Sequence, residues 1–294
     1  MHLSSPAPLA PGDRVAVVAP ASPFARGDFL RGLAWLRARY RLVARSSIFA
    51  RDGFLAGDDA RRAEELAAAM RDPDVKAIVM ARGGYGAMRI LDALPWDALE
   101  ARPKWLVGFS DVTALHLAAR ARGLASIHGP NVTGIASLTP ADRFAFLSAL
   151  EDPAAPLAWR GLRVLHDGPA CEGEIVGGNI ALVEAMAAAG RLAIPSGAVV
   201  ALEDVTERPY RVDRMLTSLL LGGHLARASA IVFGELTRCD PGPDGVSVDD
   251  VLRERTRGLG VPVLASAPFG HGAENRAFVL GRRVRVEAGA VTRA

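Results

Sequence analysis

Cysteine is scarce in this chain. Only Cys171 and Cys239 occur, far apart and in no C-x-x-C pattern. That excludes a disulfide scaffold and a dithiol redox motif, and reads as two free thiols of a reducing compartment. A cysteine nucleophile has little support, because neither residue lies at a helix start near a histidine motif. Long apolar runs are absent: no stretch approaches the roughly 18–20 residues of a membrane span. The opening "MHLSSPAPLAPGDRVAVVAP" lacks a charged segment followed by an apolar one, which argues against a secretory signal. Clustered basic residues are missing too. The net charge is +3 and the pI about 9.2, but the arginines are spread along the whole chain and leave no nucleic-acid footprint. A cytoplasmic protein with neither membrane nor nucleic-acid partners is the expectation.

Apolar residues are plentiful. They make up 50% of the 294 residues, enough for the core of one large domain or two smaller ones. The first half alternates regularly. Strands are expected at "RVAVVAP" (14–20), "RLVAR" (41–45), "KAIVMA" (76–81) and "KWLVGF" (104–109). Helices are expected around 27–39, at "GDDARRAEELAAAMRD" (57–72) with an Asp cap, at "GAMRILDAL" (86–94) and at "DVTALHLAARARG" (111–123). Continuous apolar strands separated by helices predict βαβ units and a parallel sheet covered on both faces, an α/β fold. From about 136 to 172 the pattern weakens and prolines 140, 153, 156 and 169 punctuate it. The expected division is a domain over 1–140, a linker over 141–172 and a second, mixed α/β domain over 173–294. In that second half, strands are expected at "GEIVGGN" (173–179), "AVVALEDV" (198–205), "AIVFGEL" (230–236) and within "PVLASAPFGHG" (262–272). Helices are expected over 179–190 and 211–221, and "RAFVLGRRVRVEAGAVT" (276–292) alternates like an antiparallel hairpin.

Ser110 stands where the strand "KWLVGF" turns into a helix. A serine there is a helix cap or a nucleophile displayed on a tight turn, and G-F-S-D departs from the G-x-S-x-G elbow. A serine nucleophile needs a histidine base, a carboxylate to hold that base, and paired N–H groups for the oxyanion. Among six histidines, His2 lies at the terminus, His116 on the helix after Ser110, and His166 and His224 in polar surroundings. His128 in "IHGPN" follows a strand-like segment, and His271 stands between two glycines just past an apolar strand. Glu203 closes the apolar run "AVVALE", where a carboxylate must be paired; a histidine and Arg211 or Arg214 are the alternatives. The Gly-rich "MARGGYGAMR" (80–89) has neither G-x-G-x-x-G spacing nor a Walker lysine, so it is a poor nucleotide cradle. It suits an oxyanion hole, with the Gly84 N–H facing that of Asp111. Arg82 is then placed to meet a substrate carboxylate beside Gly83, or is a surface residue of a turn.

Seven segments in order, "FLAGDDARRAEEL", "ARGGYGAMRIL", "PKWLVGFSDVTALHLA", "HGP", "GEIVGGN", "LEDVTERPYRVDRMLTSLLLGG" and "PVLASAPFGHGAEN", resemble the LD-carboxypeptidase family of serine peptidases. The resemblance runs from about residue 11 to 281. It implies an N-terminal Rossmann-like domain, a C-terminal β-rich domain and an active site in the cleft between them. It implies a triad of Ser110, Glu203 and His271, with the N–H groups of Gly84 and Asp111 as the oxyanion hole. The Asp111 side chain is expected to cap its helix. No metal or cofactor is implied. In the family's main branch the reaction removes the terminal D-Ala of a murein tetrapeptide in the cytoplasm, and a homodimer is implied. A second branch, the microcin C immunity peptidases, cleaves a peptidyl-adenylate amide. From another class, a non-catalytic α/β binder of an anionic ligand is the rival that has no need of the triad.

Overall fold

A computed structural model describes residues 3–294, and His2 lies outside the described residues. The chain divides into two compact units. The first holds the residues up to Ala155 together with Arg276–Val279, and the second holds Pro156–Asn275 and Leu280–Ala294.

The first unit opens with strands β1 (Arg14–Val18), β2 (Arg41–Val43), β3 (Val75–Met80), β4 (Trp105–Gly108) and β5 (Ser126–His128). They pair in parallel in the order β5-β4-β3-β1-β2. Their apolar runs are buried because helices cover both faces of a parallel sheet. The helices are α1 (Arg26–Arg37), α2 (Asp59–Arg71), α3 (Trp96–Ala101), α4 (Thr113–Ala121), α5 (Val132–Ile135) and α6 (Pro140–Glu151). Phe29, Leu33 and Leu36 of α1 join Val15, Val17, Val107, Ile127 and Phe146 in one apolar core. After β1 the strand order reverses direction, so the loops after β1 and β3 diverge at a switch point, where α/β sheets hold ligands. The expected helix over 86–94 is instead a 3₁₀ segment, Ala87–Ala93. It starts from Gly86 at φ +129° and ends before Pro95, which holds Leu94 extended.

The second unit is an eight-stranded mixed sheet. Its strands are β6 (Ala158–Trp159), β7 (Arg163–His166), β8 (Cys171–Asn179), β9 (Val199–Val205), β10 (Ala230–Thr237) and β11 (Val263–Ala265). After β12 (Phe278–Leu280), which joins the first unit's sheet beside β5, come β13 (Arg283–Glu287) and β14 (Ala290–Arg293). The order is β6-β14-β13-β8-β9-β10-β11-β7, with a parallel centre of β8 to β11 and antiparallel flanks. Helices α7 (Ile180–Ala188), α8 (Pro209–Leu221) and α9 (Val248–Thr256) complete it. The hairpin expected over 276–292 is confined to β13 and β14. It turns at Ala288 and Gly289, both at positive φ, as a two-residue hairpin of matching twist requires. Residues 141–172, read from sequence as a linker, carry most of α6 together with β6 and β7.

Helix α1 contains Gly32, a residue that weakens a helix interior by about 1 kcal/mol relative to Ala. Here it is needed. A methyl at Gly32 would lie 1.9 Å from the Val132 carbonyl oxygen, so the glycine lets α5 pack directly on α1. Gly32→Ala should therefore destabilise the protein by about 1–3 kcal/mol despite its better helix propensity. Chemical denaturation measures this, and a stability equal to or above the parent's would contradict it.

Candidate active site

Strand β4 ends at Gly108, and Ser110 follows with φ +65°, left-handed backbone that a side chain adopts only at a cost of about 1–2 kcal/mol. Surrounding groups hold it there. Asn131 Oδ1 accepts the Phe109 N–H at 3.4 Å, while its Nδ2 donates to the Phe109 carbonyl at the same distance. His116, 1% exposed, hydrogen-bonds the Gly108 carbonyl through Nε2 at 2.9 Å. A carbonyl only accepts, so this nitrogen carries the proton. Burial pushes the imidazole pKa down from 6.5 to about 4, and the ring is neutral. Ser110 starts a 3₁₀ turn (Ser110–Val112) that runs into α4, and neither segment has a side-chain cap. The capping alternative for Ser110 therefore fails.

The expectation that Asp111 caps its own helix is also corrected. Asp111 lies inside the 3₁₀ turn, two positions past its cap residue Phe109 and one before Val112, the cap residue of α4. Its carboxylate is 1% exposed and instead accepts the N–H of Ala87 at 2.7 Å, across the sheet end. The Gly-rich loop after β3 sits against the Ser110 turn. A methyl at Gly83 would fall 2.8 Å from Ser110 Cβ and 3.0 Å from its Oγ, so this approach needs glycine. Gly84, at φ +103°, packs on Ser22 from the loop after β1. Ser22 fixes the loop twice, donating its N–H to the Gly83 carbonyl at 3.2 Å and accepting the Tyr85 N–H on Oγ at 3.1 Å. Arg82 is exposed and donates to the Pro23 carbonyl.

The second unit brings Glu203 and His271 together. Glu203, at the end of β9, is 0% exposed, and its Oε2 lies 2.7 Å from His271 Nδ1. The arginine alternatives are otherwise engaged: Arg211 meets Glu207 at 3.2 Å, and Arg214 stacks over Tyr210. Successive strand residues face opposite ways, so the adjacent Asp204 serves another purpose. It accepts from Asn179 Nδ2 at 2.9 Å and from Ala181 N–H at 3.0 Å, which secures the start of α7. Burial raises its pKa to about 6. The His271 loop is laced to β10 through Ala267 N–H to the Phe233 carbonyl at 3.0 Å and Glu235 N–H to the Phe269 carbonyl at 2.9 Å. Gly270, at φ +115°, leaves a methyl's width beside Glu203 Oε2.

The other candidates have other tasks. His166 hydrogen-bonds the Arg253 carbonyl at 2.8 Å, and the buried His128 ring stacks on Phe278 at 5.0 Å. Burial raises both thiols, Cys239 to about 11, so neither is a ready thiolate. Sequence reasoning missed Asn131, Ser22 and the buried Arg62. Asn131 lies within the quoted "IHGPN", yet an Asn before a helix reads as its cap rather than as a clamp on a distant peptide.

Models of the LD-carboxypeptidase N-terminal and C-terminal domains match residues 15–129 and 172–286. The chain belongs to the LD-carboxypeptidase family. As a member it is a serine carboxypeptidase, which sets aside the non-catalytic binder. It is 35% identical to the murein tetrapeptide carboxypeptidase of Pseudomonas aeruginosa over 93% of each chain. To the microcin C7 self-immunity protein of Escherichia coli it is 25% identical, over 96% of this chain and 92% of that one. Among solved structures, the muramoyltetrapeptide carboxypeptidase from Oxalobacter formigenes superposes with a TM-score of 0.85 at 27% identity, covering 95% of this chain and 97% of that one. Among the described residues, no helix is long and apolar enough to cross a membrane.

Two measurements probe the Ser110 turn. Ser110→Gly and Ser110→Ala both lack the hydroxyl, but only glycine accepts φ +65° without strain. The Gly variant should be the more stable by about 1 kcal/mol, and equal denaturation midpoints would refute the strain. His116 binds its proton less readily folded than unfolded, so stability should fall as pH drops from about 6.5 to about 4. The slope approaches about 1.4 kcal/mol per pH unit. His116→Gln should flatten that limb in pH-dependent melting, and an unchanged limb would count against a neutral buried ring.

Proposed function

We propose that this protein removes the terminal D-Ala from murein tetrapeptides in the cytoplasm, as a homodimeric peptidoglycan-recycling enzyme. The carrying observation is the left-handed Ser110, packed against a glycine loop as a displayed nucleophile requires. The buried Glu203–His271 pair supports it, as does the 35% identity to a murein tetrapeptide carboxypeptidase.

In this reading, His271 Nε2 takes the Ser110 hydroxyl proton as Oγ attacks the carbonyl carbon before D-Ala. Glu203 accepts the Nδ1–H at 2.7 Å, fixing the tautomer and stabilising the imidazolium. The N–H groups of Gly84 and Asp111 receive the oxyanion. Asp111 suits this role because an N–H in the first turn of a helix has no helical acceptor. The tetrahedral intermediate collapses, the C–N bond breaks, and His271 returns the proton to the leaving amine. Water, deprotonated by His271, then hydrolyses the acyl ester and regenerates Ser110. Arg82 offers a guanidinium to the substrate's terminal carboxylate, and Gly83 keeps the space beside Ser110 open. In the hydrolytic step the acyl C–Oγ bond breaks and His271 returns the proton to Ser110 Oγ.

Incubation with a murein tetrapeptide and mass analysis tests this. The parent should release one D-Ala, while Ser110→Ala and His271→Ala should lose about 10⁴-fold or more in rate. A peptidyl-adenylate analogue cleaved much faster than the tetrapeptide would instead assign the microcin-type reaction. Full activity in Ser110→Ala would overturn both.

A further inference from the structure

The Gly86–Ala87 peptide is gripped from both sides by buried charges. Asp111 accepts the Ala87 N–H on Oδ2 at 2.7 Å. On the other side, Arg62 Nη1 donates to the Gly86 carbonyl at 2.8 Å. Arg62 is 0% exposed and also donates to the carbonyls of Pro20 and Gly57, so it is itself anchored to two further loops. A methyl at Gly86 would lie 2.7 Å from Arg62 Nη1, so the contact has no slack. A helical turn does not require this arrangement. Burying a carboxylate is costly, and a neutral residue could fill the same space. What the carboxylate achieves is to tie the residue after Ser110 to the loop that carries Gly83 and Gly84, while Ser22 pins that loop's other end.

We propose that the Asp111 carboxylate is a positioning residue for acyl transfer. It holds the Gly86–Ala87 peptide so that the Gly84 N–H stays in register with Ser110, and Arg62 opposes it across the same peptide. This rests on the reading of Ser110 as nucleophile and Gly84 as oxyanion donor. Asp111 touches no reacting atom through its side chain, so its loss should weaken transition-state binding more than substrate binding. Misplacing a catalytic group by about 1 Å costs on the order of 10²-fold in rate.

The test measures kcat and KM for tetrapeptide hydrolysis by the full chain, each rate normalised to active sites titrated with an organophosphorus reagent. Asp111→Ala should lower kcat about 10²-fold with KM within about twofold of the parent. Asp111→Asn keeps the shape and one acceptor oxygen but loses the charge-assisted bond, and should lower kcat about tenfold, again at constant KM. Should the Ala variant fail to fold, the Asn variant decides alone. A kcat per active site within twofold of the parent in Asp111→Asn, or a loss carried wholly by KM, would overturn the proposal. Ser110→Ala is the control that separates the two ideas. If it retains the parent rate, the nucleophile assignment fails and this proposal falls with it. If it is inactive and the Asp111 variants are not impaired, only the positioning role is lost.

Discussion

At Ala19 and Pro20 after β1, and at Ala56 and Gly57 before α2, the backbone is outside the sheet yet still buried, and its polar groups must be paired. The chain meets this constraint with charged side chains of α2, the half-buried Arg61 and the buried Arg62 and Glu65. Arg61 donates to the carbonyls of Ala19 and Ala56, while Glu65 accepts the Ala19 N–H at 2.7 Å. Arg62 serves Pro20, Gly57 and Gly86. One helix thus fixes three loops at the switch point of the sheet, and the geometry around Ser110 depends on it. An apolar helix face could cover the strands equally well but could not hold those carbonyls.

The strain at Ser110 follows from the same economy of space. A left-handed serine persists only where its neighbours over-determine it. Asn131 bonds the Phe109 peptide on both sides, His116 holds the carbonyl before it, and Gly83 removes the side chain that would collide. Gly108 is similarly confined, since a methyl there would lie 2.8 Å from Asn131 Oδ1. In the second unit the glycine at 270 plays the matching part, letting a buried carboxylate meet His271.

Much of this was legible in the sequence where the signal is local. Period and composition located strands β1 to β4 of the first unit and the Asp cap of α2, where Asp58 accepts the Arg61 N–H. Short motifs singled out Ser110, Glu203 and His271. Other features are not legible in the sequence. The 3₁₀ segment at 87–93 carries a helical pattern, yet Gly86 and Pro95 set its ends. Helix α9 has a capping box of Ser247 and Asp250 but a weak periodic signal, because its buried apolar residues are only Val251 and Leu252.

The sequence by itself determined the α/β class and the family, and it singled out Ser110, Glu203 and His271 as candidates, because periodicity and motifs depend on neighbours a few positions apart. Only the tertiary structure decided what each residue is paired with. Glu203 chose His271 over an arginine, and Asp111 turned from its own helix to the Ala87 N–H. Such choices are made between groups 24 and 68 positions apart in the chain. They are settled by which loops the sheet order brings to one edge, and by the cost of leaving a buried donor or acceptor unmet.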